Sequence, residues 1–325
     1  MTNKKPAIGV DVGGTAIKFA LVSPQGSVVS VSRRPTEADK GRERILANIS
    51  DGIQAKLKEH VLTLDAIAGI GMGTPGFVVD GVILGNPNMP AWAGTPIMDE
   101  MRKRFTVPFF ASNDGNTAAL AECCFGAGVG SKHLVFFILG TGVGGGLVVN
   151  GQVYEGESGM AGELGHMVVH PGGRKCGCGA HGCVEAYAGA LGISGMAREM
   201  LETPEGKTSA MFKAVGGDLS KVTPRVVYDC AKAGDALANA VNDVMCSHLA
   251  IAVGATISAL NPQMVVLGGG IMEAGDIIMN KLKEKLPGNA YHTNLSRCRI
   301  EFAKLGENAG VIGCGALVFS RLGLI

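Results

Sequence analysis

The feature that most constrains the fold is a pattern used twice, in which a turn rich in glycine and threonine joins two strands. In the first copy, a buried strand at Ala7–Val10 leads into the turn Asp11–Lys18, and a second strand follows at Phe19–Val22. The glycine turn of a dinucleotide-binding fingerprint opens a helix instead. A turn between two strands exposes backbone N–H groups, here at Gly13 and Gly14, that can hold a phosphate. Taken alone, the pattern also fits an ordinary β-hairpin.

The second copy lies near the middle of the chain and has the same order of elements. An apolar strand at Leu134–Leu139 is followed by the turn Gly140–Gly146 and by another strand at Leu147–Val149. The repeat predicts a duplicated β-β-β-α-β-α unit, and therefore an α/β protein of two domains. A third glycine turn, Gly268–Gly270, follows a strand at Met264–Leu267, and its bare backbone suits the base or ribose of a nucleotide.

Apolar spacing predicts the other elements. We expect strands at Val28–Ser32, Ile67–Gly71, Val107–Ala111 and Arg299–Ala303, a hairpin at Val78–Leu84, and helices at Arg42–Leu62, Asp235–Leu260 and Gly310–Arg321. The predicted domains are a small N-terminal α/β domain, residues 1–112, and a larger α/β domain, residues 113–305. A C-terminal helix, at about residues 306–325, is expected to complete the small domain.

Composition narrows the class of protein. The 325 residues carry a formal net charge of +1, so no basic surface indicates nucleic acid or an acidic membrane. Nine cysteines, an odd number without framework spacing, fit a reducing compartment. The N-terminus shows no hydrophobic signal region, and no stretch offers about 20 uninterrupted apolar residues. We therefore expect a soluble, cytoplasmic protein with neither nucleic-acid nor membrane partners.

A separate motif occupies residues 163–185, which we call the zinc knuckle. Here His166 precedes three cysteines, Cys176, Cys178 and Cys183. Thiolate and imidazole are ligands that zinc prefers, and four of them close a tetrahedral structural site. The alternative is a disulfide or a set of buried thiols, but Cys-X-Cys spacing rarely allows the geometry of a local disulfide. We therefore predict one structural zinc ion held by these four residues.

Three carboxylates stand at positions that suit a functional site. Glu163 and Glu185 flank the zinc knuckle, where a closed metal site would fix them for a ligand with several hydroxyl groups. Asp114 follows the predicted strand Val107–Ala111, and open α/β sheets bind ligands beyond the carboxyl ends of their strands. The competing interpretation of Asp114 is the N-cap of the next helix. The loop Asn86–Trp92, with the single tryptophan, fits a sugar site or the protein surface equally well.

Four stretches together resemble the ROK family of bacterial sugar kinases and related repressors, namely residues 11–18, 113–116, 140–146 and 163–185. The pairing of Glu-X-Gly-His with Cys-X-Cys-X4-Cys is highly specific to that family, and the resemblance covers nearly the whole chain. It implies the two-domain actin-like (RNase H-like) ATPase fold. In that fold, ATP and a sugar bind in the cleft between the domains.

The resemblance also implies a role for individual residues. Asp114 matches the catalytic base, and Asn113, Asp114, Glu163, His166 and Glu185 match contacts to sugar hydroxyls. His166 would place one ring nitrogen on zinc and the other toward the sugar. ATP phosphates and Mg²⁺ are expected at the glycine turns, and the nucleotide-binding residues are predicted to be Asp11, Gly13, Gly14, Thr15, Lys18, Gly140, Thr141, Gly142, Gly144, Gly268, Gly269 and Gly270.

Three functions compete. The first is an ATP-dependent hexose kinase that phosphorylates the 6-hydroxyl of glucose, with Asp114 as the general base. The second is a sugar-responsive transcriptional repressor; those of the family carry an extra N-terminal DNA-binding domain, whereas here the first strand begins within about seven residues of the start. The third is a zinc-stabilised sugar-binding protein without catalysis, which would leave the two phosphate turns without a purpose. We favour the kinase.

The choice of sugar depends on one loop. Asn86–Trp92 resembles the loop of the glucose-phosphorylating members, whereas residues 113–124 and 163–187 also resemble kinases of N-acetylmannosamine. N-acetylmannosamine, N-acetylglucosamine, mannose and fructose therefore remain alternative substrates. The apolar helix at Asp235–Leu260 and the resemblance together suggest a homodimer, the commonest closed assembly.

Overall fold

The computed structural model describes residues 5–85 and 89–325. Its strands are β1 (Ala7–Val12), β2 (Ala16–Val22), β3 (Val28–Pro35), β4 (Ile70–Thr74), β5 (Phe77–Val79), β6 (Val82–Leu84), β7 (Phe109–Asn113), β8 (Leu134–Leu139), β9 (Val143–Val149), β10 (Gln152–Val153), β11 (Met264–Gly268) and β12 (Arg299–Phe302). Its α-helices are α1 (Arg42–Glu59), α2 (Ile97–Arg102), α3 (Asp114–Phe125), α4 (Glu185–Ala188), α5 (Ala190–Leu201), α6 (Ala210–Ala214), α7 (Pro224–Lys232), α8 (Ala236–Leu260), α9 (Asp276–Lys285), α10 (His292–Leu295) and α11 (Ala309–Arg321).

The predicted repeat is confirmed by the order of the strands. One sheet has the order β3-β2-β1-β4-β7 and the other has the order β10-β9-β8-β11-β12. In the first sheet β1, β2 and β3 pair antiparallel, and in the second β9 and β10 do. In each sheet two later strands extend the other side. In the first sheet β4 is parallel to both β1 and β7, and in the second β11 is parallel to β12. A hairpin of β5 and β6 stands apart.

Alternation along the strands of the first sheet produces two cores. Ile8 and Phe19 point into a cluster with the apolar face of α1, which includes Ile45 and Ile49. Neighbouring residues such as Ala7, Ala20 and Val22 belong to a second cluster with Val311, Val318 and Phe319 of α11. Successive side chains of a strand point to opposite faces. The sheet is therefore covered by α1 on one face and by α11 on the other.

The chain divides into two compact units. The first contains residues 1–134, 146–162 and 304–325, and the second contains residues 135–145 and 163–303. This division differs from the predicted one, which began the larger domain at residue 113. The physical reason is that α3 packs extensively along α11, so α3 belongs with the N-terminal part of the chain.

Helix α8 is the longest helix of the second unit. By length and composition alone it is apolar enough to cross a membrane, and half of its most apolar window is buried inside the protein. It packs against α4, α5, α7, α9 and α10. These contacts on several sides are those of a core helix of the second unit.

Candidate functional site

The first glycine turn connects β1 to β2 and is closed by its own backbone. The Gly13 N–H donates to the Ala16 carbonyl over 3.0 Å, and the Thr36 hydroxyl donates to the Gly13 carbonyl over 2.6 Å. The Thr36 N–H donates to the Thr15 carbonyl over 3.0 Å. The Gly13 N–H is therefore used in a hydrogen bond within the turn, although the sequence predicted it as a donor to phosphate. Among the described residues, no internal acceptor is seen for the N–H groups of Gly14 and Thr15.

The second glycine turn has the same construction in the second unit. The Gly140 N–H donates to the Gly142 carbonyl over 2.9 Å, and the Ala190 N–H at the start of α5 donates to the Gly140 carbonyl over 2.9 Å. Within the described part of the chain, the N–H groups of Thr141 and Gly142 show no internal acceptor either. Gly144, predicted as part of the turn, lies in β9, because that strand begins four residues earlier than expected.

A cavity of about 530 Å³ joins the second and third glycine turns. Gly140 and Thr141 line it from one side and Gly270 from another, so the structure brings two of the predicted glycine turns together. Gly269 has a φ of 91°, which glycine adopts without strain. Helix α7 contributes a wall that the sequence did not reveal, made of Pro224, Arg225, Tyr228, Asp229 and Lys232. No glycine or other local signal in α7 marks it as part of a site.

Asp11 and Asp114 form an acidic pair in the first unit. Burial raises the pKa of Asp11 to about 6; the Lys18 ammonium opposes that rise and the Asp114 carboxylate adds to it. Lys18 is the cross-strand partner of Asp11 and donates to the Glu307 carbonyl over 3.0 Å. A Cβ on Gly310 would lie 2.5 Å from Asp11 Oδ2, so the carboxylate rests against the first turn of α11. Carboxylate oxygens are ligands that Mg²⁺ accepts, so Asp11 is a candidate to hold a divalent cation.

The raised pKa of Asp11 makes a prediction about stability. Because folding raises this pKa, the native state binds the proton more tightly, and stability is lost as pH rises from about 4 through about 6. Asp11→Asn cannot ionise, so we expect it to raise the free energy of unfolding by up to about 3 kcal/mol near pH 7.5 and by much less near pH 4.5. Urea denaturation without nucleotide or Mg²⁺ measures both values. The prediction would be contradicted if Asp11→Asn changed the free energy of unfolding equally at both pH values. It would also be contradicted if the change were no larger than that of the exposed control Asp276→Asn.

Asp114 is the first residue of α3, and the N-cap is Asn113. The Asn113 Oδ1 accepts from the Gly115 N–H over 2.8 Å and from the Asn116 N–H over 3.4 Å, and its Nδ2 donates to the Gly76 carbonyl over 3.0 Å. The competing interpretation of Asp114 as the cap is therefore wrong. Burial raises the pKa of Asp114, although hydrogen bonds from the Gly115 N–H, its own N–H and the Asn113 side chain act in the opposite direction. The residue is nevertheless exposed to solvent, and an accessible carboxylate with a raised pKa is better matched to accept a proton near neutral pH.

The four predicted zinc ligands converge in the zinc knuckle. Ligand atoms of His166, Cys176, Cys178 and Cys183 all lie within 4.8 Å of one another. The Cys178 and Cys183 sulfurs are 3.7 Å apart, and the Cys176 sulfur is 3.6 Å from His166 Nδ1. Zinc bonds are about 2.3 Å long to sulfur and about 2.1 Å to nitrogen. At tetrahedral angles they place two sulfur ligands about 3.8 Å apart, and a sulfur and a nitrogen ligand about 3.6 Å apart. The donor set therefore fits zinc, and 3.7 Å is far too long for a disulfide.

The two carboxylates of the zinc knuckle are placed differently. Glu163 Oε2 lies 3.6 Å from His166 Nε2, the ring nitrogen that faces away from the thiols. Glu185 instead accepts from the Val143 N–H over 3.0 Å, and its other oxygen lies 3.5 Å from the Cys176 sulfur. A Cβ on Gly142 would come within 2.2 Å of Glu185 Oε2, so the carboxylate lies directly against the backbone of the second glycine turn. Glu185 thus connects the zinc knuckle to the second glycine turn.

The loop that suggested glucose is only partly described. Asn86, Pro87 and Asn88 lie outside the described residues. Trp92 is fully buried, and its indole N–H donates to the Thr74 hydroxyl over 2.8 Å. Trp92 belongs to the apolar core of the first unit. The suggestion that this aromatic ring lines a sugar site is therefore wrong.

Comparisons with known proteins agree with this geometry. Residues 7–321 match the family model of the ROK family. The glucokinase of Halalkalibacterium halodurans is 38% identical over 315 residues, which cover 96% of this chain and 94% of that protein. The glucokinase of Thermotoga maritima is 35% identical over 322 residues, covering 98% and 99%. A solved ROK family glucokinase from Streptomyces griseus, in complex with glucose and AMPPNP, has a TM-score of 0.75 at 28% identity, covering 96% and 98%. The chain therefore belongs to the ROK family and adopts its actin-like, RNase H-like ATPase fold.

Proposed function

We propose that this protein is an ATP-dependent sugar kinase that transfers the γ-phosphate of ATP to the 6-hydroxyl of glucose, with Asp114 as the general base. The observation that supports it most is the setting of Asp114. This carboxylate, whose pKa is raised by the surrounding protein but which stays accessible to a ligand, stands directly after β7 at the start of α3. The relatives that share nearly the whole length of the chain include two glucokinases. One solved family member was crystallised with glucose and an ATP analogue.

Phosphoryl transfer asks for positioning and charge neutralisation more than covalent chemistry. In the proposed mechanism, Asp114 accepts the proton of the attacking hydroxyl, and Asn113 holds the backbone that carries Asp114. The N–H groups of Gly14, Thr15, Thr141 and Gly142 are the backbone donors proposed for the phosphate oxygens. Mg²⁺ that arrives with ATP would neutralise phosphate charge, and Asp11 is the residue that would hold it. We assign the 530 Å³ cavity between the second and third turns to the base and ribose.

The sugar is proposed to meet the zinc knuckle with its secondary hydroxyls. Glu163 and His166 Nε2 offer an acceptor and a donor close together, a pair suited to neighbouring hydroxyls. The Glu185 carboxylate already accepts a hydrogen bond from the Val143 N–H. Its proposed contact to the sugar therefore uses the remaining lone pairs. A primary hydroxyl is the least hindered nucleophile of a hexose, which favours position 6.

A panel of hexoses tests the proposal. We expect kcat/KM for glucose to exceed that for mannose, fructose, N-acetylglucosamine and N-acetylmannosamine by at least about tenfold, since lost or misplaced hydroxyl contacts leave polar groups unpaired. The measurement is sugar-dependent release of ADP, with Asp114→Asn as the blank. A larger kcat/KM for N-acetylmannosamine or mannose would overturn the sugar assignment. No transfer to any hexose would overturn the kinase.

A homodimer is also part of the proposal. Helix α8 leaves Ile251 and Leu260 partly exposed at 37% and 49%, although most of its apolar residues are buried. Closed twofold assemblies are the commonest oligomers. We expect sedimentation at micromolar concentration to give about twice the 33.3 kDa mass of the chain. A species of single-chain mass under those conditions would contradict the dimer.

A further inference from the structure

Three nearly parallel rings lie beside the zinc knuckle, outside the proposed site. His248 of α8 lies face to face with Tyr187 of α4, with ring centroids 3.7 Å apart and planes within 4°. His170, from the zinc knuckle, lies within 7° of the His248 plane with centroids 5.6 Å apart. That spacing is too long for face-to-face stacking, and His170 Nδ1 is 3.3 Å from His248 Nε2. The two imidazoles therefore meet edge to edge through one hydrogen bond.

Hydrogen-bond chemistry fixes the direction of that bond. His248 Nδ1 lies 2.7 Å from the Val244 carbonyl, which can only accept, so Nδ1 carries the proton. In the neutral ring Nε2 is then a bare acceptor. His170 Nδ1–H must therefore be the donor to it. The chain of bonds runs from His170 through His248 to the backbone of α8.

This cluster fastens the segment that carries the zinc ligands. The His170 N–H donates to the Gly182 carbonyl over 3.2 Å, next to Cys183 in the sequence. The Tyr187 hydroxyl accepts from the Arg174 N–H over 3.0 Å, two residues before Cys176. The zinc knuckle is thus tied at one point to α4 and at another to α8. Glu163 and His166 belong to the same zinc knuckle, so their positions depend on the position of the knuckle as a whole.

We propose that His248 is a positioning residue of the sugar site, which holds the zinc knuckle in place by accepting a hydrogen bond from His170. We also propose that acid releases this contact when His248 Nε2, the acceptor, gains a proton. The readout in sugar affinity rests on the proposed function, whereas the hydrogen bond and its protonation do not. The pair would make binding of a hexose dependent on pH without taking part in the chemistry.

A proton on His248 Nε2 removes the acceptor of this bond. While His170 Nδ1 keeps its own proton, two N–H groups then face each other and the bond is lost. Partial burial and repulsion from His170 hold the pKa of His248 below its ordinary value, against the Val244 carbonyl, which raises it.

One aromatic ring and one ion pair lie beside the two imidazoles. Tyr187 of α4 covers the face of His248, and Arg174 of the zinc knuckle lies beside the Tyr187 hydroxyl. Arg174 donates to both carboxylate oxygens of Glu199 in α5, so its charge is paired. Because the folded state disfavours the charged form of His248, the contact is present above the ordinary histidine pKa of about 6.5 and is lost only as pH falls through the lowered pKa of His248.

Two variants of His248 separate positioning from mere packing. His248→Asn keeps a donor for Val244 but cannot reach His170, so glucose KM near pH 8 should rise about 2- to 10-fold, the usual worth of one hydrogen bond, with kcat unchanged. His248→Gln keeps an acceptor for His170 and should restore KM. Because glutamine does not titrate, the rise of KM in acid should be absent in His248→Gln.

The control is zinc content, measured at each pH for every variant, because thiol protonation also loosens a zinc site. Equal KM–pH curves for the wild type and His248→Gln would overturn the proposal. Long-range ¹⁵N NMR of the imidazoles tests the bond without any substrate, and the expected result is the Nδ1–H tautomer for both neutral rings. An Nε2–H tautomer for His248 would overturn the proposal even in an active kinase. If no hexose is phosphorylated, the NMR result still decides the hydrogen bond.

Discussion

Replacing Asp114 by asparagine is expected to lower kcat by about 10²- to 10⁴-fold, the usual contribution of a positioned general base. Asparagine has nearly the same shape and can still accept the Gly115 N–H through its side-chain oxygen. What it loses is the ability to take the proton of the attacking hydroxyl. Glucose should therefore still bind, and isothermal calorimetry should give a Kd within a few-fold of the wild type. Steady-state kinetics with ATP and glucose measures the loss in kcat.

A second helix provides a matched control. Asp276 is also the first residue of a helix, α9, and its side chain is exposed, so Asp276→Asn reproduces any effect of charge on a helix N-terminus. We expect it to leave kcat unchanged. Near-normal turnover in Asp114→Asn would show that Asp114 only begins α3. The pH profile gives an independent check, because burial raises the pKa of Asp114 and the base is lost by protonation as pH falls through that raised value.

The order of the elements could be predicted because the glycine turns repeat, but their ends could not. β2 begins at Ala16, three residues before the predicted Phe19, and β9 begins at Val143 in place of Leu147. Both early starts contain residues with low strand propensity. In β2 the pairing of Lys18 with Asp11 on β1 holds these residues extended. Cross-strand pairing overrides local preference at such positions, and one sequence does not show the partner.

A shift of the same kind changed the interpretation of Asp114. β7 runs from Phe109 to Asn113, two residues later than predicted, so α3 follows without a loop and Asn113 becomes the cap. Capping preferences allow Asn and Asp equally, so the choice between adjacent residues depended on the strand register. The structure decides it by bonding both the Gly115 and Asn116 N–H groups to Asn113.

Site residues were predictable where a local motif carries the chemistry. The zinc ligands are an example, because cysteine spacing and a nearby Glu-X-Gly-His are visible in the chain, and the four ligand atoms do converge. Residues brought in by tertiary packing were not predictable. Tyr228 lines the cavity from a helix without any motif, and His248 meets His170 across 78 positions of sequence. Trp92 shows the opposite error, because a residue predicted at a sugar site or the surface is buried. Its exposure depends on packing partners that the sequence does not reveal.

Loss of zinc is the second large effect that we expect. We predict one tightly bound zinc ion per chain. Mutating a residue that only hydrogen-bonds to a metal ligand typically weakens metal binding about 10- to 100-fold. Cys178 is itself a predicted ligand, so Cys178→Ser should weaken zinc binding by more than that. Cys178 is exposed, so the substitution disturbs little packing. Cys298→Ser, outside the ligand set, is the matched control and should keep zinc. Metal analysis after dialysis against a chelator measures the difference.

Zinc binding, stability and sugar affinity should fall together. In the unfolded chain the four ligands are not assembled, so the free energy of zinc binding is added to the stability of the fold. The melting temperature of the wild type should fall when a chelator removes zinc, and Cys178→Ser should start from the lower value and respond less. Glucose affinity should fall with it, because His166 Nδ1 faces the thiols while His166 Nε2 faces Glu163. A zinc-free preparation with full stability and unchanged glucose affinity would show that the four residues form no structural metal site.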